Sequence, residues 1–168
     1  MSPMQQKEIL DYFTKVTSEL QEIITSTGEE QLNAKPADGA WSIAQIAEHL
    51  RKSYAAVDVM NGNVQPTDRA PDEKVAAVRE LFLDFNVKMK SPDAIVPPDD
   101  LIEKTRLQQG LEKRIAQFRE IILNKDLSPI CVDFEIPGYG PFTRMEWMYF
   151  NILHTHRHVH QMKEILKN

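Results

Sequence analysis

Four of the five histidines fall within seven consecutive residues, His154-Thr155-His156-Arg157-His158-Val159-His160. Histidine is the commonest metal ligand, and it is also the side chain whose charge changes near neutral pH. Two imidazoles four residues apart on a helix lie one turn apart and can bind one ion together. The block holds two such pairs, His154/His158 and His156/His160. At about 100° per residue, His154 and His158 fall within roughly 40° of each other, and Trp147, Gln161, Met162 and Ile165 share their side of the helix. His156 and His160 fall near 200° and 240° on the same scale, with Lys163, Glu164 and Lys167. The first pair is therefore expected to face the core. The second is expected to be solvated.

Only the inward pair has facing helices that can supply a third ligand. The remaining histidine, His49, lies at the margin of another apolar stripe and is the natural donor. Three neutral imidazoles from two helices leave coordination positions open, as catalytic rather than closed structural sites do. A divalent ion held there lowers the pKa of a bound water, hydroxyl or thiol, or polarises a carbonyl. Three blander readings compete. His49 can be a hydrogen-bonded residue at the core edge. The pair can place cations near a helix C-terminus. The cluster can titrate as a pH switch.

The elements that must position these residues read as helices. Ser2-Pro3-Met4-Gln5 is a capping box with proline at the first helical position. Ile9, Leu10, Phe13, Val16, Leu20, Ile23 and Ile24 follow at helical spacing up to a stop at Gly28. Ser42-Ile43-Ala44-Gln45 opens a second helix, carrying Ile46, Leu50, Tyr54 and Val57, expected to end near Asn61-Gly62-Asn63. Pro71-Asp72-Glu73 opens a shorter one with a stripe of Val75, Val78, Phe82, Phe85 and Met89. SPDAIVPPDD, residues 91–100, cannot be regular helix throughout. Asp99 or Asp100 is the expected cap of the next helix, whose inner face reads Leu101, Leu107, Leu111, Ile115, Phe118 and Ile122. Within residues 127–140, CVDFEI is expected to be extended. Thr143-Arg144-Met145-Glu146 is a third capping box and opens the helix that carries the histidines to about Leu166. Four long amphipathic helices, a short extra one and long loops predict an all-α four-helix bundle, with residues 1–168 as a single domain.

Composition is that of a globular protein, 42% hydrophobic and 27% charged, with a net charge of −5. The balance offers no basic field for nucleic acid or anionic lipid. No apolar run approaches the roughly 18–20 residues needed to span a membrane. The N-terminal stretch lacks the pattern of a secretory signal. The lone cysteine, Cys131, excludes an intramolecular disulfide and reads as a small buried hydrophobe. A cytoplasmic location is the expectation. A homodimer is compatible with amphipathic helices of this length, although no interface is marked.

Trp41-Ser42-Ile43-Ala44-Gln45-Ile46-Ala47-Glu48-His49-Leu50 resembles the W-S-x-x-[EQ]-x-x-x-H-L segment of the DinB-like superfamily of bacterial four-helix bundles, particularly its YfiT-like branch. Glu146-Trp147 and His154-x3-His158-x2-Gln161-Met162 resemble that family's closing H-x3-H-x2-Q-[ILM]. Lys88-Met89-Lys90-Ser91-Pro92 resembles its K-x-K-[SA]-P run. The resemblance implies a metal triad of His49, His154 and His158, with nickel, zinc, iron or manganese as the divalent ion. Gln161, and less closely Glu48, are implied as supporting groups. The implied activities are thiol S-transfer from a low-molecular-weight thiol, or hydrolysis, on a small electrophilic substrate. The alternative is a non-enzymatic bundle that binds a ligand or dimerises, its histidines structural or vestigial.

Overall fold

The computed structural model describes residues 1–167. It is an all-α four-helix bundle with short additions, built in the order α1 (Pro3–Ser26), α2 (Glu29–Asn33), α3 (Ile43–Ser53), α4 (Ala56–Asn61), β1 (Val64–Gln65), α5 (Val75–Leu83), a 3₁₀ turn (Asp93–Ile95), α6 (Lys104–Asn124), β2 (Ile130–Cys131) and α7 (Arg144–Leu166). Both α1 and α3 pack against α6 and α7, while α5 lies on the outside of α7. The core between them is apolar and continuous: Phe13, Leu20, Ile46, Leu50, Tyr54, Phe118, Met148 and Ile152 are all fully buried.

All three capping boxes form. Ser2, Ser42 and Thr143 each accept from the backbone N–H three residues on, and Gln5, Gln45 and Glu146 reach back to the N-cap amide. These pairings satisfy amides that have no partner inside the helix.

Elsewhere long-range contacts override the local pattern. The second helix breaks at Tyr54–Ala55 before resuming as α4. Ser53 bonds back to the Leu50 carbonyl, and the amides of Ala55, Val57 and Asp58 bond three residues back instead of four. The Tyr54 hydroxyl is meanwhile tied to Thr155 across the core at 2.6 Å. The α5 helix stops at Leu83, so Phe85 and Met89 lie beyond it and are largely exposed. Asp84 turns the chain there, its carboxylate accepting from the Asn86 amide, a local pairing that competes with helix.

Neither Asp99 nor Asp100 caps α6, which starts at Lys104, and Leu101 is exposed. The cap comes from α2: Glu29 accepts from the Lys104 amide at 2.7 Å, and Asn33 exchanges hydrogen bonds with both backbone groups of Ile102. Asp99 instead pairs with Lys35 and accepts from Gln45. Of the CVDFEI stretch only Cys131 lies in a strand; with Ile130 it pairs antiparallel to Val64–Gln65. Among the described residues, no helix is long and apolar enough to cross a membrane.

Candidate metal centre

His49 on α3 and His154 on α7 are buried, and His158, one turn further along α7, is half-buried at the same place. The Nε2 of His154 lies 3.0 Å from the Nε2 of His49 and 3.0 Å from that of His158. The three rings meet edge to face, with interplanar angles of 80°, 76° and 70°. Nitrogen edges therefore converge on one point instead of ring faces stacking. The candidate ligand atoms all lie within 4.8 Å of one another, and no carboxylate or thiol joins them among the described residues.

The outer nitrogens fix the tautomers. The Nδ1–H of His49 donates to the Ile95 carbonyl at 2.9 Å. The Nδ1–H of His158 donates to Oε1 of Gln161 at 2.8 Å. A neutral imidazole carries one proton, so both Nε2 atoms present bare lone pairs to His154. One proton on His154 can satisfy only one of them, and the buried Nδ1 of His154 has no hydrogen-bond partner among the described residues. Lone pairs facing one another in a buried space are unfavourable unless a cation lies between them. The donor set therefore fits a divalent ion. Ligand histidines characteristically donate their other N–H to a carbonyl or similar acceptor, as His49 and His158 do.

Electrostatics keep the imidazoles neutral. Burial pushes His49 below the ordinary histidine range. Burial, then the neighbouring His158 and His49, hold His154 well below it. His158 is lowered to about 3, mainly by burial, although its bond to Gln161 opposes the shift. Neutral imidazole is the form that binds metal.

Aromatic rings wall the centre. Trp41 lies 5.0 Å from the His49 ring, and Phe82 and Phe150 lie 5.3 and 5.9 Å from His154, centroid to centroid. Residues 84–98 pass over the centre, and Ser91 Oγ approaches His49 Nδ1 at 3.5 Å.

The other candidate residues sort clearly. Gln161 contacts His158, as its offset implies. Glu48 does not support the centre: its carboxylate is held by Arg51 through two bonds of 2.6 and 2.7 Å. His156 and His160 are not freely solvated. The Tyr12 hydroxyl is 2.7 Å from His156 Nδ1, and the Phe85 ring stacks on His160 at 3.9 Å. The helical wheel places both rings away from the centre correctly but says nothing of α1 or of the 84–98 segment that cover them. Cys131 is fully buried, and burial pushes its thiol up to about 11, which leaves it inert as a nucleophile. The Ile95 carbonyl and Phe82 are parts of the centre that carry no metal-binding signal in sequence.

The chain is 26% identical over 160 residues, 93% of its length and 96% of the relative's, to the uncharacterized protein YuaE of Bacillus subtilis strain 168. Its fold is similar to that of YfiT from Bacillus subtilis, a probable metal-dependent hydrolase with an unusual four-helix bundle topology, with a TM-score of 0.63, 16% identity, and coverage of 99% of this chain and 89% of that one. A family model described as the DinB superfamily matches residues 12–162, and the chain belongs to that superfamily.

Proposed function

We propose that His49, His154 and His158 hold one divalent metal ion, and that the protein is a metal-dependent enzyme acting on a small electrophilic substrate. The observation that carries this reading is the convergence of three Nε2 atoms, two of them with lone pairs fixed inward by Ile95 and Gln161. A bound divalent ion would act as a Lewis acid and lower the pKa of a water or thiol nucleophile. The chain's own residues set the conditions for that chemistry. Three neutral ligands, with no carboxylate joining them among the described residues, leave the full ionic charge available, because none of it is neutralised by that donor set. Trp41, Phe82 and Phe150 supply a low-dielectric wall on which an uncharged substrate can lie, and they strengthen electrostatic effects nearby. Gln161 and Ile95 hold two of the imidazoles in one tautomer.

Hydrolysis is the activity named for YfiT. Thiol transfer is favoured by a different consideration: among the described residues no carboxylate joins the three imidazoles within ligand distance, where it could serve as the general base that attack by water commonly uses. A low-molecular-weight thiol needs less help, since its pKa is already near 8.5. Elemental analysis of protein purified without a histidine tag is expected to give close to one metal per chain, lost in H49A, H154A and H158A. Metal-dependent turnover is then expected with either activated esters or a thiol–electrophile pair. A sub-stoichiometric content that H49A leaves unchanged would overturn the site.

A further inference from the structure

The segment over the centre is irregular, and it contains Pro92, Pro97 and Pro98, which have no N–H. Backbone amides within the segment reach the carbonyls of Asp84, Pro92 and Asp93, and further donors come from outside it. Side chains from α3 and α7 supply those donors. From α3, Gln45 Nε2 donates to Pro98 at 3.0 Å, His49 to Ile95 at 2.9 Å, and Lys52 to Val96 at 2.7 Å. From α7, Arg157 alone donates to three carbonyls: Phe82 at 3.2 Å, Asp84 at 2.9 Å, and Val87. The two helices that carry the three histidines thus also clamp the two ends of the segment above them. The α3 end includes a candidate ligand itself, because the carbonyl that orients His49 belongs to this segment.

We propose that Arg157 is a positioning residue for the metal centre, acting through residues 84–98 on the orientation of His49; this rests on the three-histidine site proposed above. A guanidinium suits the task. Its donors are spread in a rigid fork and can hold carbonyls on both sides of the turn at Asp84, which an ammonium on a flexible stem cannot reproduce. The same three bonds fix the end of α5, where Phe82 packs on the His154 ring. Of these clamps only the α3 donors then remain, which loosens the Ile95 carbonyl at His49 and opens the centre to competing ligands. Arg157 touches neither the converging Nε2 atoms nor a carboxylate in these contacts; its charge also lowers His154 and His158, an effect that R157K retains.

The test compares R157M, which keeps most of the stem and loses every donor, with R157K and with R114M as a control. Arg114 pairs with Asp58 on a different face, between α6 and α4. Two readouts are taken. In metal-free protein, imidazole NMR follows the His49 Nδ1–H held by Ile95. In zinc-loaded protein, a chromogenic chelator measures the rate of zinc release. R157M is expected to lose the protected Nδ1–H signal and to release zinc about tenfold faster or more, the scale on which second-layer partners tune metal sites. R157K is expected to recover only part of both, and R114M to match wild type in both even if its thermal stability falls equally. The proposal is overturned if R157M keeps the signal, if it loses the signal yet releases zinc at the wild-type rate, or if R114M behaves as R157M does. Should R157M fail to fold, R157K decides: wild-type signal and release rate overturn the proposal. If wild-type protein retains no zinc, the three-histidine reading fails by itself, and the NMR arm still decides whether Arg157 orients His49.

Discussion

The carboxylate of Glu146 offers the sharpest test of how this bundle is held together. Its side chain is fully buried and accepts four hydrogen bonds, from Arg69 Nη1 and Nη2 at 2.6 and 2.7 Å and from the amides of Lys74 and Thr143 at 2.9 Å each. It therefore closes the capping box of α7 and also anchors the loop that leads into α5. Replacing it in E146Q keeps the shape. All four partners are donors, however, so one end of the amide must set its own N–H₂ against donors. Two of the four bonds are lost, and the guanidinium loses its counter-charge except for Glu73 at 4.0 Å. Removing one partner of a buried pair costs about 3–5 kcal/mol, and because the Arg69 side chain is 19% exposed, water recovers part of that, which favours about 3 kcal/mol. For a chain of this size a fall in Tm of roughly 6–12 °C follows. Burial alone would raise the Glu146 carboxyl, but Arg69 and the two amides outweigh it and hold it below its ordinary value of 4.5. The unfolded chain then binds more protons than the folded one as pH drops, so the stabilisation is complete above about pH 4.5 and fades as pH falls through the folded value. Thermal denaturation followed by circular dichroism at pH 7 and again near pH 3 checks both points. A Tm for E146Q within about 1 °C of wild type at pH 7 would refute the reasoning, as would a gap that widens in acid.

Two further outcomes follow from the histidines. H156A loses the bond to Tyr12 and is expected to cost about 1 kcal/mol in a denaturant titration while leaving metal content unchanged; a parallel loss of metal would place His156 in the centre after all. In metal-free protein, burial holds His158 at about 3 against an ordinary 6.5, with His154 and His49 lowered by the same cause. The unfolded chain takes up protons that the folded one refuses, so this contribution to stability is complete above about pH 6.5 and is lost as pH falls towards 3. Tm measured in EDTA is expected to drop between pH 7 and pH 5, more steeply for wild type than for H158Q; equal slopes would contradict it.

What sequence made legible here, and what it did not, divides along a physical line. The capping boxes at Ser2, Ser42 and Thr143 form as expected because donor and acceptor are three residues apart and need nothing from the rest of the fold. The inward turn of His154 and His158 is readable because α7 is regular, so angular position alone decides which rings share a face. The place of His49 beside that pair is readable because its helix begins at a visible cap, which fixes its angular position. The errors lie where a distant group settles the matter. Glu29 and Asn33 cap α6 across a gap of more than 60 residues, so the nearer Asp99 is free to pair with Lys35. The carbonyls of Ile95, Phe82, Asp84 and Val87 hold the centre and its cover together, and a carbonyl is the same atom pair in every residue. No residue type announces it. The donors do carry a signal: an arginine beside His158 on a half-buried face needs several acceptors, and a proline-rich segment needs several donors. Matching one deficit to the other links Arg157 to residues 84–98 on chemical grounds. By the same logic the cover depends less on its own side chains than on the donors beneath it. Substitutions that keep the backbone path of residues 84–98 should therefore disturb the centre less than loss of the single guanidinium that holds three of its carbonyls.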